Sequence, residues 1–274
     1  MPELPEVETV RRVLEPQLAG RRIVRAVPLH ADIVAHPSQE KFVAAVQDAR
    51  IASLSRRGKF LMIDLEGGAK IVLHLRMTGQ FLRTPADFPH QKHTHMILLL
   101  DDTSELRFID LRRFGRFWYL APGESDSVTG MDRLGPEPFD PRITGEYLRA
   151  RLSKSRRAIK DCLLDQSVVA GIGNIYSDEA LFAANILPSR PACSLTDAEW
   201  EDLAAKIPVI IQTAIDGNAI SAEDYLAGMG RDYRNTPLFK VYGRGGEPCK
   251  RCLTILETAR IGGRTSCFCP FCQI

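Results

Sequence analysis

The sequence predicts a multidomain α+β protein. An N-terminal helix and an antiparallel β-sandwich or barrel come first, then a helical region, then a C-terminal hairpin with a cysteine site. The length of 274 residues is at the upper limit of what one hydrophobic core organises, so two domains are expected. Runs of strand length give way to helical periodicity beyond residue 141. Two Cys-x-x-Cys pairs close to the C-terminus indicate the hairpin.

Composition is that of a globular protein. Hydrophobic residues at 45% and charged residues at 26% exclude an intrinsically disordered chain. The longest apolar runs, such as residues 96–100, are far too short to span a bilayer. The first ten residues, MPELPEVETV, carry acids where a secretory signal carries a basic and then an apolar stretch. We therefore expect a cytoplasmic protein with no membrane partner.

The first twenty residues are predicted to form a helix. Pro5 suits a first helical position, Glu6 and Glu8 fall in the first turn, and Gly20 can end the helix. Pro16 should kink or end the last turn, because it has no backbone N–H group to donate. One apolar face follows three- and four-residue steps through Val7, Val10, Leu14 and Leu18.

Residues 22–120 carry the pattern of an antiparallel sandwich or barrel. Short runs rich in Val, Ile, Phe and Leu alternate with clusters of Gly, Pro and Asp. The predicted strands are 22–27, 51–55, 59–65, 70–75, 96–100, 105–109 and 116–120.

The stretch 122–141 is rich in turn residues and is predicted to link two domains. Beyond it, residues 228–235 are polar, Gly-rich and aperiodic, so we expect a mobile loop there. Helices are predicted at 144–152, 157–164, 174–184, 196–216 and 221–226.

The distribution of charge is more informative than its sum. The 36 Lys and Arg residues against 34 Asp and Glu give a formal net charge of only +2. Residues 149–160, however, hold six cations and no acid, and residues 231–274 hold eight cations against three acids. Both stretches suit a polyanion such as nucleic acid, although a solvated helix face and a soluble tail are the simpler explanation of charge alone.

The sharpest motif is Cys249-x2-Cys252-x16-Cys269-x2-Cys272. Each Cys-x-x-Cys turn presents two thiolates to one tetrahedral ion, so this spacing predicts one closed four-sulfur zinc site. Two disulfides are the alternative. Disulfides are typical of exported proteins, and the acidic first residues do not resemble a secretory signal, so zinc is favoured. Four protein ligands leave no position for a reactive water, so the zinc is expected to be structural.

Two glycine turns suggest anion-binding positions. Gly262 and Gly263 permit a tight turn with Arg264 at its tip, where a guanidinium can reach a phosphate or a groove. An exposed hairpin arginine without a partner is the alternative. The turn AGIG at 170–173 precedes a helix whose N-terminus favours an anion and for which Asn174 is the expected cap, although such turns are also common in ordinary loops.

The N-terminus offers a nucleophile if the initiator methionine is removed. A free Pro2 nitrogen is a secondary amine, and a terminal amine has a reference pKa of about 7.7 to 8.0 against about 10.4 for lysine. Its attack on a sugar C1′ or a carbonyl gives a cationic iminium, which acts as an electron sink. Glu3 and Glu6 lie close by in sequence as candidate proton donor and acceptor. An ordinary capped helix is the alternative explanation of the same residues.

Taken together, the motifs resemble the formamidopyrimidine-DNA glycosylase family, in consistent order from residue 2 to residue 273. The resemblance implies an N-terminal catalytic β-sandwich domain over 1–121, a linker over 122–141, a helix-two-turns-helix DNA-binding domain over 142–236 and a zinc finger over 237–274. The motifs are MPELPEVE, RRGKF at 56–60, HLRMTG at 74–79, KHTH at 92–95, DLRRFGR at 110–116, AGIGNIY at 170–176, VYGR at 241–244 and the two Cys-x-x-Cys pairs.

The resemblance also implies a bifunctional DNA glycosylase and AP lyase of base excision repair. It would excise formamidopyrimidine and 8-oxoguanine and then cleave the strand by β,δ-elimination. Pro2 corresponds to the nucleophile on C1′, and Glu3 to the acid that helps open the deoxyribose and expel the base, with Glu6 as a support. Lys59 matches the lysine assigned to proton transfer in β-elimination. Arg264 matches the zinc-finger arginine assigned to δ-elimination and phosphate binding, and both cations also suit a simple phosphate clamp.

Met77, Arg112 and Phe114 match the trio that fills the hole left by an extruded nucleotide. Flipping a base costs a few kcal/mol of unstacking, which a thioether, a guanidinium and an aromatic ring recover in part. The alternatives are core packing for Met77 and Phe114 and a surface charge for Arg112. The other DNA-contacting positions are matched by His74, His93, Arg156, Lys160 and Asn174. For the two histidines, the alternative is a buried ring whose hydrogen bonds are satisfied within the protein.

Some positions depart from the family pattern. Leu253 stands where the family commonly has Gly, and Leu111 where it commonly has Pro. Residues 228–240 lack the usual pattern of the region that covers an everted 8-oxoguanine, which leaves an endonuclease VIII-like enzyme for oxidised pyrimidines as one alternative. A catalytically silent zinc-finger DNA-binding protein is the other. The expected partner is damaged double-stranded DNA, bound by a monomer without a nucleotide cofactor, in a bacterial-type, nucleoid-associated setting.

Overall fold

A computed structural model describes residues 2–231 and 239–274 of the chain. Residues 232–235 of the loop predicted at 228–235, and the predicted 236/237 domain boundary, lie outside the described residues. Contacts between Cα atoms divide the described chain into two compact units. The first comprises residues 2–132 and 218–231, and the second comprises residues 133–217 and 239–274.

Helix α1 spans Leu4–Leu18 and begins as predicted. Glu3 is its N-cap, and Glu6 Oε2 accepts the backbone N–H of Glu3 at 2.7 Å, as in a capping box. The helix continues past Pro16 to Leu18. A proline in the last turn removes only one backbone hydrogen bond, and that bond belongs to the last turn. The apolar face lies in the core of the first unit through Val7, Val10, Leu14 and Leu18.

The strands among residues 2–132 form two sheets. One has the order β1-β7-β8-β6 and is antiparallel throughout. The other has the order β2-β9-β5-β4-β3 and is antiparallel except for the parallel pair β2–β9. The bounds are β1 Ile23–Pro28, β2 Val34–His36, β3 Ile51–Arg57, β4 Phe60–Leu65, β5 Lys70–His74, β6 Gln80–Thr84, β7 Thr94–Leu100, β8 Glu105–Ile109 and β9 Arg116–Leu120.

An aromatic cluster shows that the two sheets form a sandwich rather than a closed barrel. Phe117 on β9 meets Phe81 on β6 and Phe108 on β8 edge to face, with ring centroids 6.0 and 5.3 Å apart. Phe42 approaches the same ring from helix α2, Gln39–Val46, at 6.3 Å. The predicted strands are all present, whereas β2, β6 and α2 were not predicted.

The second unit contains the predicted helices and the C-terminal hairpin. Helices α4 and α5 are joined by the turns of residues 164–173, so they form the expected helix-two-turns-helix pair. Gly173 is the N-cap of α5 and no side chain caps that helix, so the prediction that Asn174 caps it is wrong. The bounds are α3 Gly145–Leu152, α4 Ile159–Leu163, α5 Asn174–Ala183, α6 Asp197–Gly217, β10 Glu257–Ile261 and β11 Arg264–Phe268.

The last helix, α7 at Ala222–Ala227, packs in the first unit although the sequence interpretation placed it in a helical domain over 142–236. Tyr225 is buried in the sandwich core, and its hydroxyl donates to the carbonyl oxygen of Phe81 at 3.2 Å. Among the described helices, none has the length and apolar character needed to cross a membrane.

Candidate functional site

The predicted nucleophile and its acids lie at the start of α1. Pro2 is buried, and Glu3 and Glu6 are each 1% exposed. The positive end of the helix dipole lies at the same point and disfavours protonation of a free Pro2 amine. The α1 N-terminus therefore brings together the three residues that the sequence assigned to base removal.

Helix α1 also carries a partly buried ion cluster that joins it to the β3–β4 hairpin. The Glu8 carboxylate meets Arg56 Nε at 3.2 Å and Arg11 Nη2 at 2.9 Å, and it also accepts from Arg12 Nε at 2.9 Å. Burial alone would raise the pKa of Glu8, but the hydrogen bonds from Arg11 and Arg12 and the charges of Arg11 and Arg56 lower it. Glu8 is thus a charged anchor of the hairpin that carries Lys59.

Lys59 lies in the two-residue turn of that hairpin, between the paired residues Arg57 and Phe60. Its partner in the turn, Gly58, has a φ of 55°, a value that favours glycine. Lys59 itself is only 7% exposed. The turn therefore holds the ammonium group at a defined place on the first unit.

His74, at the end of β5, is a buried neutral histidine. Burial, followed by the charges of Arg76 and Lys59, lowers its pKa to about 3. Its Nδ1 accepts the backbone N–H of Arg76 at 3.0 Å, so the ring proton is on Nε2. His74 is therefore a hydrogen-bond donor near Lys59 without a charge of its own.

The predicted void-filling trio is exposed on two neighbouring loops. Met77 is 38% and Phe114 47% exposed, so neither side chain packs in the core. The Arg112 guanidinium lies 4.7 Å from the centre of the Phe114 ring, which places the cation over an aromatic face. His93 is half-buried and has a left-handed backbone with φ 71°. An exposed thioether and an exposed aromatic ring beside an arginine suit insertion between stacked bases.

Lys160 does not lie on the surface. It is 0% exposed, and its Nζ donates to Asp178 Oδ1 at 2.7 Å, where Asp178 is also fully buried. Asp178 further accepts the Ser266 hydroxyl at 2.5 Å and the Cys267 backbone N–H at 3.1 Å. Burial raises the pKa of Asp178 against the lowering effect of the Lys160 charge and of these hydrogen bonds. This placement does not support the predicted direct contact of Lys160 with DNA. The basic run at 149–160 was interpreted as a surface feature, but Lys160 is the one cation of that run whose side chain is buried.

The tip of the β10–β11 hairpin packs against α4 and α5. A Cβ atom on Gly262 would lie 2.1 Å from Asp161 Oδ1, and the backbone φ of 55° at this position also favours glycine. The carbonyl oxygen of Thr265 accepts from Asn174 Nδ2 at 3.1 Å and from Lys160 Nζ at 3.4 Å. Arg264 remains exposed at this fixed tip, as predicted from the glycine pair. Arg156, before α4, is exposed as well.

Sequence reasoning missed Glu179, a buried carboxylate on α5. It accepts three consecutive backbone N–H groups, those of Lys240, Val241 and Tyr242, at 2.8 to 3.1 Å. This carboxylate therefore shapes the VYGR segment. A glutamate beside a second acid on an otherwise apolar helix is the signal that indicates such a role.

The four cysteines of the C-terminal motif converge. Their Sγ atoms all lie within 4.8 Å of one another, with 4.0 Å between Cys249 and Cys272 and 3.5 Å between Cys252 and Cys269. A tetrahedral zinc with bonds of about 2.3 Å needs sulfur atoms about 3.8 Å apart, so the cluster fits one metal ion. Burial and the neighbouring thiols raise the pKa of Cys272 to about 12, so a cation is needed for all four to ionise.

A β-sandwich that begins with a buried Pro-Glu pair, a helix-two-turns-helix pair and a four-cysteine hairpin define a two-unit glycosylase fold. Family models for the formamidopyrimidine-DNA glycosylase N-terminal domain, its H2TH domain and a zinc finger found in FPG and IleRS match residues 1–117, 134–225 and 246–274. The chain belongs to the formamidopyrimidine-DNA glycosylase family, and the predicted α+β fold is confirmed.

Relatives match over nearly the whole chain. The formamidopyrimidine-DNA glycosylases of Synechococcus sp. and Moorella thermoacetica are 43% and 45% identical, covering 100% and 95% of this chain and 99% and 95% of their own. Lactococcus lactis FPG bound to Fapy-dG DNA is 32% identical with a TM-score of 0.90. The wild-type L. lactis protein bound to oxidised-pyrimidine DNA gives 33% and 0.91, and MutM bound to carbocyclic 8-oxo-G DNA gives 33% and 0.90. Each structure covers 99% of both chains.

Proposed function

We propose that this chain is a bifunctional DNA glycosylase and AP lyase that excises formamidopyrimidine and 8-oxoguanine from damaged double-stranded DNA. The observation that carries the proposal is the buried Pro2-Glu3 pair at the N-terminus of α1, in a chain of this family. The proposal requires removal of Met1, because Pro2 otherwise has an amide nitrogen that cannot attack. Relatives of the chain are bound to Fapy-dG and 8-oxo-G DNA, which supports the purine preference.

The proposed chemistry starts with a bond between the Pro2 nitrogen and C1′. The glycosidic bond breaks and its electron pair leaves with the base, which takes up the proton lost by the Pro2 nitrogen. Glu3 as an acid then protonates O4′, and the C1′–O4′ bond breaks as the nitrogen lone pair forms the iminium. The resulting iminium withdraws electrons, so C2′ can lose a proton and the 3′-phosphate leaves. A second elimination then releases the 5′-phosphate. Lys59 and Arg264 are the proposed proton-transfer or phosphate-clamping groups of these two steps.

The remaining residues are proposed to hold the DNA. Met77, Arg112 and Phe114 would fill the void, and His74, His93, Arg156 and Asn174 would contact the strand. The proposed division is a catalytic domain over 1–121, a linker over 122–141, a helix-two-turns-helix domain that begins at residue 142 and a zinc finger over 237–274. Helix α7 is assigned to the catalytic domain, in whose core it packs. Zinc is the metal proposed for the four cysteines, where it would hold the hairpin without touching the substrate. We propose a monomer that acts at the nucleoid.

Covalent trapping tests this function. Enzyme whose N-terminus is verified by mass spectrometry is mixed with an abasic duplex and borohydride, which reduces an iminium to a stable adduct. We expect a protein–DNA adduct in the unmodified protein, none when one residue is added before Pro2, and an undiminished adduct in Pro5→Ala, the matched control on the same helix. An adduct that survives the N-terminal extension would disprove the Pro2 mechanism.

A parallel assay separates the substrate classes. The relative bound to oxidised-pyrimidine DNA makes an endonuclease VIII-like preference the second candidate. We expect excision of 8-oxoguanine to be at least about tenfold faster than that of an oxidised pyrimidine, which corresponds to about 1.4 kcal/mol of transition-state discrimination. The reverse order would establish the second candidate, and DNA binding without excision or trapping would identify a silent binding protein.

A further inference from the structure

Asp110 is a fully buried carboxylate at the end of β8, and both of its oxygens are in use. Its Oδ2 accepts the backbone N–H groups of Phe114 and Gly115, each at 2.8 Å. Its Oδ1 accepts the backbone N–H of Arg112 at 3.2 Å and the hydroxyl of Thr78. One carboxylate therefore joins the loop that carries Arg112 and Phe114 to the turn that carries Met77.

The backbone of the same residue reaches a third segment. The Asp110 N–H donates to the carbonyl oxygen of His93 at 3.0 Å, and the Asp110 carbonyl oxygen lies 2.8 Å from His95 Nε2. His93 and Arg113 both have left-handed backbones, with φ of 71° and 58°, which are uncommon for non-glycine residues. Asp110 is thus the common support of the segments that carry Met77, His93, Arg112 and Phe114.

Two glycines press these loops onto one aromatic ring. A Cβ atom on Gly79 would lie 2.9 Å from the Phe108 ring, and one on Gly115 would lie 2.2 Å from it. Phe108 is itself completely buried on β8. Both loops therefore pack directly on the buried Phe108 ring, and the hydrogen bonds to the Asp110 carboxylate fix their positions relative to it and to each other.

The donors around Asp110 require a side chain that only accepts hydrogen bonds. Three backbone N–H groups and one hydroxyl point at its oxygens, and only an acceptor-only group satisfies all four. An asparagine would turn its NH2 group toward one set of donors and leave them without an acceptor in a buried place.

We propose that Asp110 is a positioning residue for the two loops that carry Met77, Arg112 and Phe114, here called the reading loops. It holds these three side chains in one arrangement, so that they enter the space left by an extruded nucleotide together. The inference rests on the proposed function. It assigns Asp110 no contact with the DNA. A displacement of about 1 Å in such groups can cost about 100-fold in rate. Because these side chains act only where a nucleotide leaves a base stack, loss of their support should affect duplex substrates specifically.

The test compares Asp110→Asn with Asp102→Asn in the full chain. Asp102 precedes the other end of β8, where it accepts from Ser104 and Arg83, so it is a matched carboxylate away from the reading loops. Single-turnover excision of 8-oxoguanine is measured in duplexes with each of the four opposite bases. Cleavage of a single-stranded abasic oligonucleotide is measured in parallel, because that substrate has no stacked base to extrude and no opposite base to read.

For Asp110→Asn we expect duplex excision to fall by about 10- to 100-fold, and by at least about tenfold more than single-strand cleavage. The preference among opposite bases should shrink as well, since the Arg112 guanidinium, which is proposed to hydrogen-bond to the unpaired partner base, would no longer be held in place. Asp102→Asn should keep the wild-type ratio of the two activities and the wild-type opposite-base preference.

Equal losses on both substrates, or an unchanged opposite-base preference, would overturn the proposal and leave Asp110 a merely structural residue. If Asp110→Asn does not fold, Thr78→Val and Thr78→Ser decide the question. Only valine removes the hydroxyl donor, so only valine should reproduce the duplex-specific loss. An inactive wild-type protein on single-stranded abasic DNA would instead contradict the proposed function, which is a distinguishable result.

Discussion

At His74, burial and charge act on protonation in the same direction. The ring is 8% exposed and has the cations Arg76 and Lys59 as neighbours, so both effects favour the neutral form. The protonation state of His74 is therefore set by its surroundings in the folded protein, and this makes the free energy of unfolding depend on pH.

The low pKa of His74 predicts acid lability of the fold. Unfolded His74 takes up a proton as the pH falls through about 6.5, whereas the folded form stays neutral down to about 3. The contribution of His74 to stability is thus complete above pH 6.5 and is lost progressively toward pH 3. Between pH 7 and pH 5 the loss is about 2 kcal/mol. Urea unfolding of His74→Gln at both pH values should show a shallower pH dependence.

The exposed His90 provides the control for this experiment. His90→Gln should keep the wild-type difference in unfolding free energy between pH 7 and pH 5. An undiminished pH dependence in His74→Gln would show that other groups cause the acid lability.

At the scale of elements, the β10–β11 hairpin is held by the helix pair through a buried ion pair. Removal of one partner leaves the other charge buried and uncompensated, which costs about 3 to 5 kcal/mol. We therefore expect Asp178→Asn to lower the unfolding free energy of the second unit by about that amount. The double variant Lys160→Met/Asp178→Asn should lose less than the sum of its single variants, because both charges are then absent.

Asp197 forms the matched control, since its pair with Arg149 is exposed, at 77% and 50% of the side chains. Asp197→Asn should change the unfolding free energy by less than about 1 kcal/mol. If Asp178→Asn costs no more than Asp197→Asn in urea unfolding followed by far-UV circular dichroism, the buried pair does not hold the hairpin.

Elements with local signals were predictable, and those that depend on distant partners were not. Helix α1 and the cysteine hairpin follow from Pro5, Glu6 and the Cys-x-x-Cys spacing, which act within a few residues. Strand β6 was missed because Gln80 and Arg83 interrupt its apolar pattern, although Ser38 and Glu40 are ordinary start signals that would have indicated α2. Asn174 turns away from the cap position toward Thr265, a partner 91 residues away. No local pattern contains that information.

At the scale of the whole molecule, the C-terminus is fastened at two places in the second unit. The cysteine cluster closes the hairpin, and the last residues bind the segment after α5. Gln273 Nε2 donates to the carbonyl oxygen of Ile186 at 2.8 Å, and the Ile274 N–H donates to that of Asn185 at 3.0 Å. Loss of the metal should therefore release the hairpin and these terminal contacts together, while the first unit keeps its own core.

Chelation of the metal tests this directly, because binding of a structural zinc is coupled to folding. We expect one zinc per chain by native mass spectrometry. After chelation, hydrogen exchange should accelerate across residues 246–274 and remain slow in β4 and β5. Cys252→Ser should behave like the chelated protein, whereas Cys193→Ser, at an exposed cysteine outside the cluster, should not. Protection of β10 and β11 that survives metal loss would mean that packing against α4 and α5 alone maintains the hairpin. Arg264 would then keep its position without zinc.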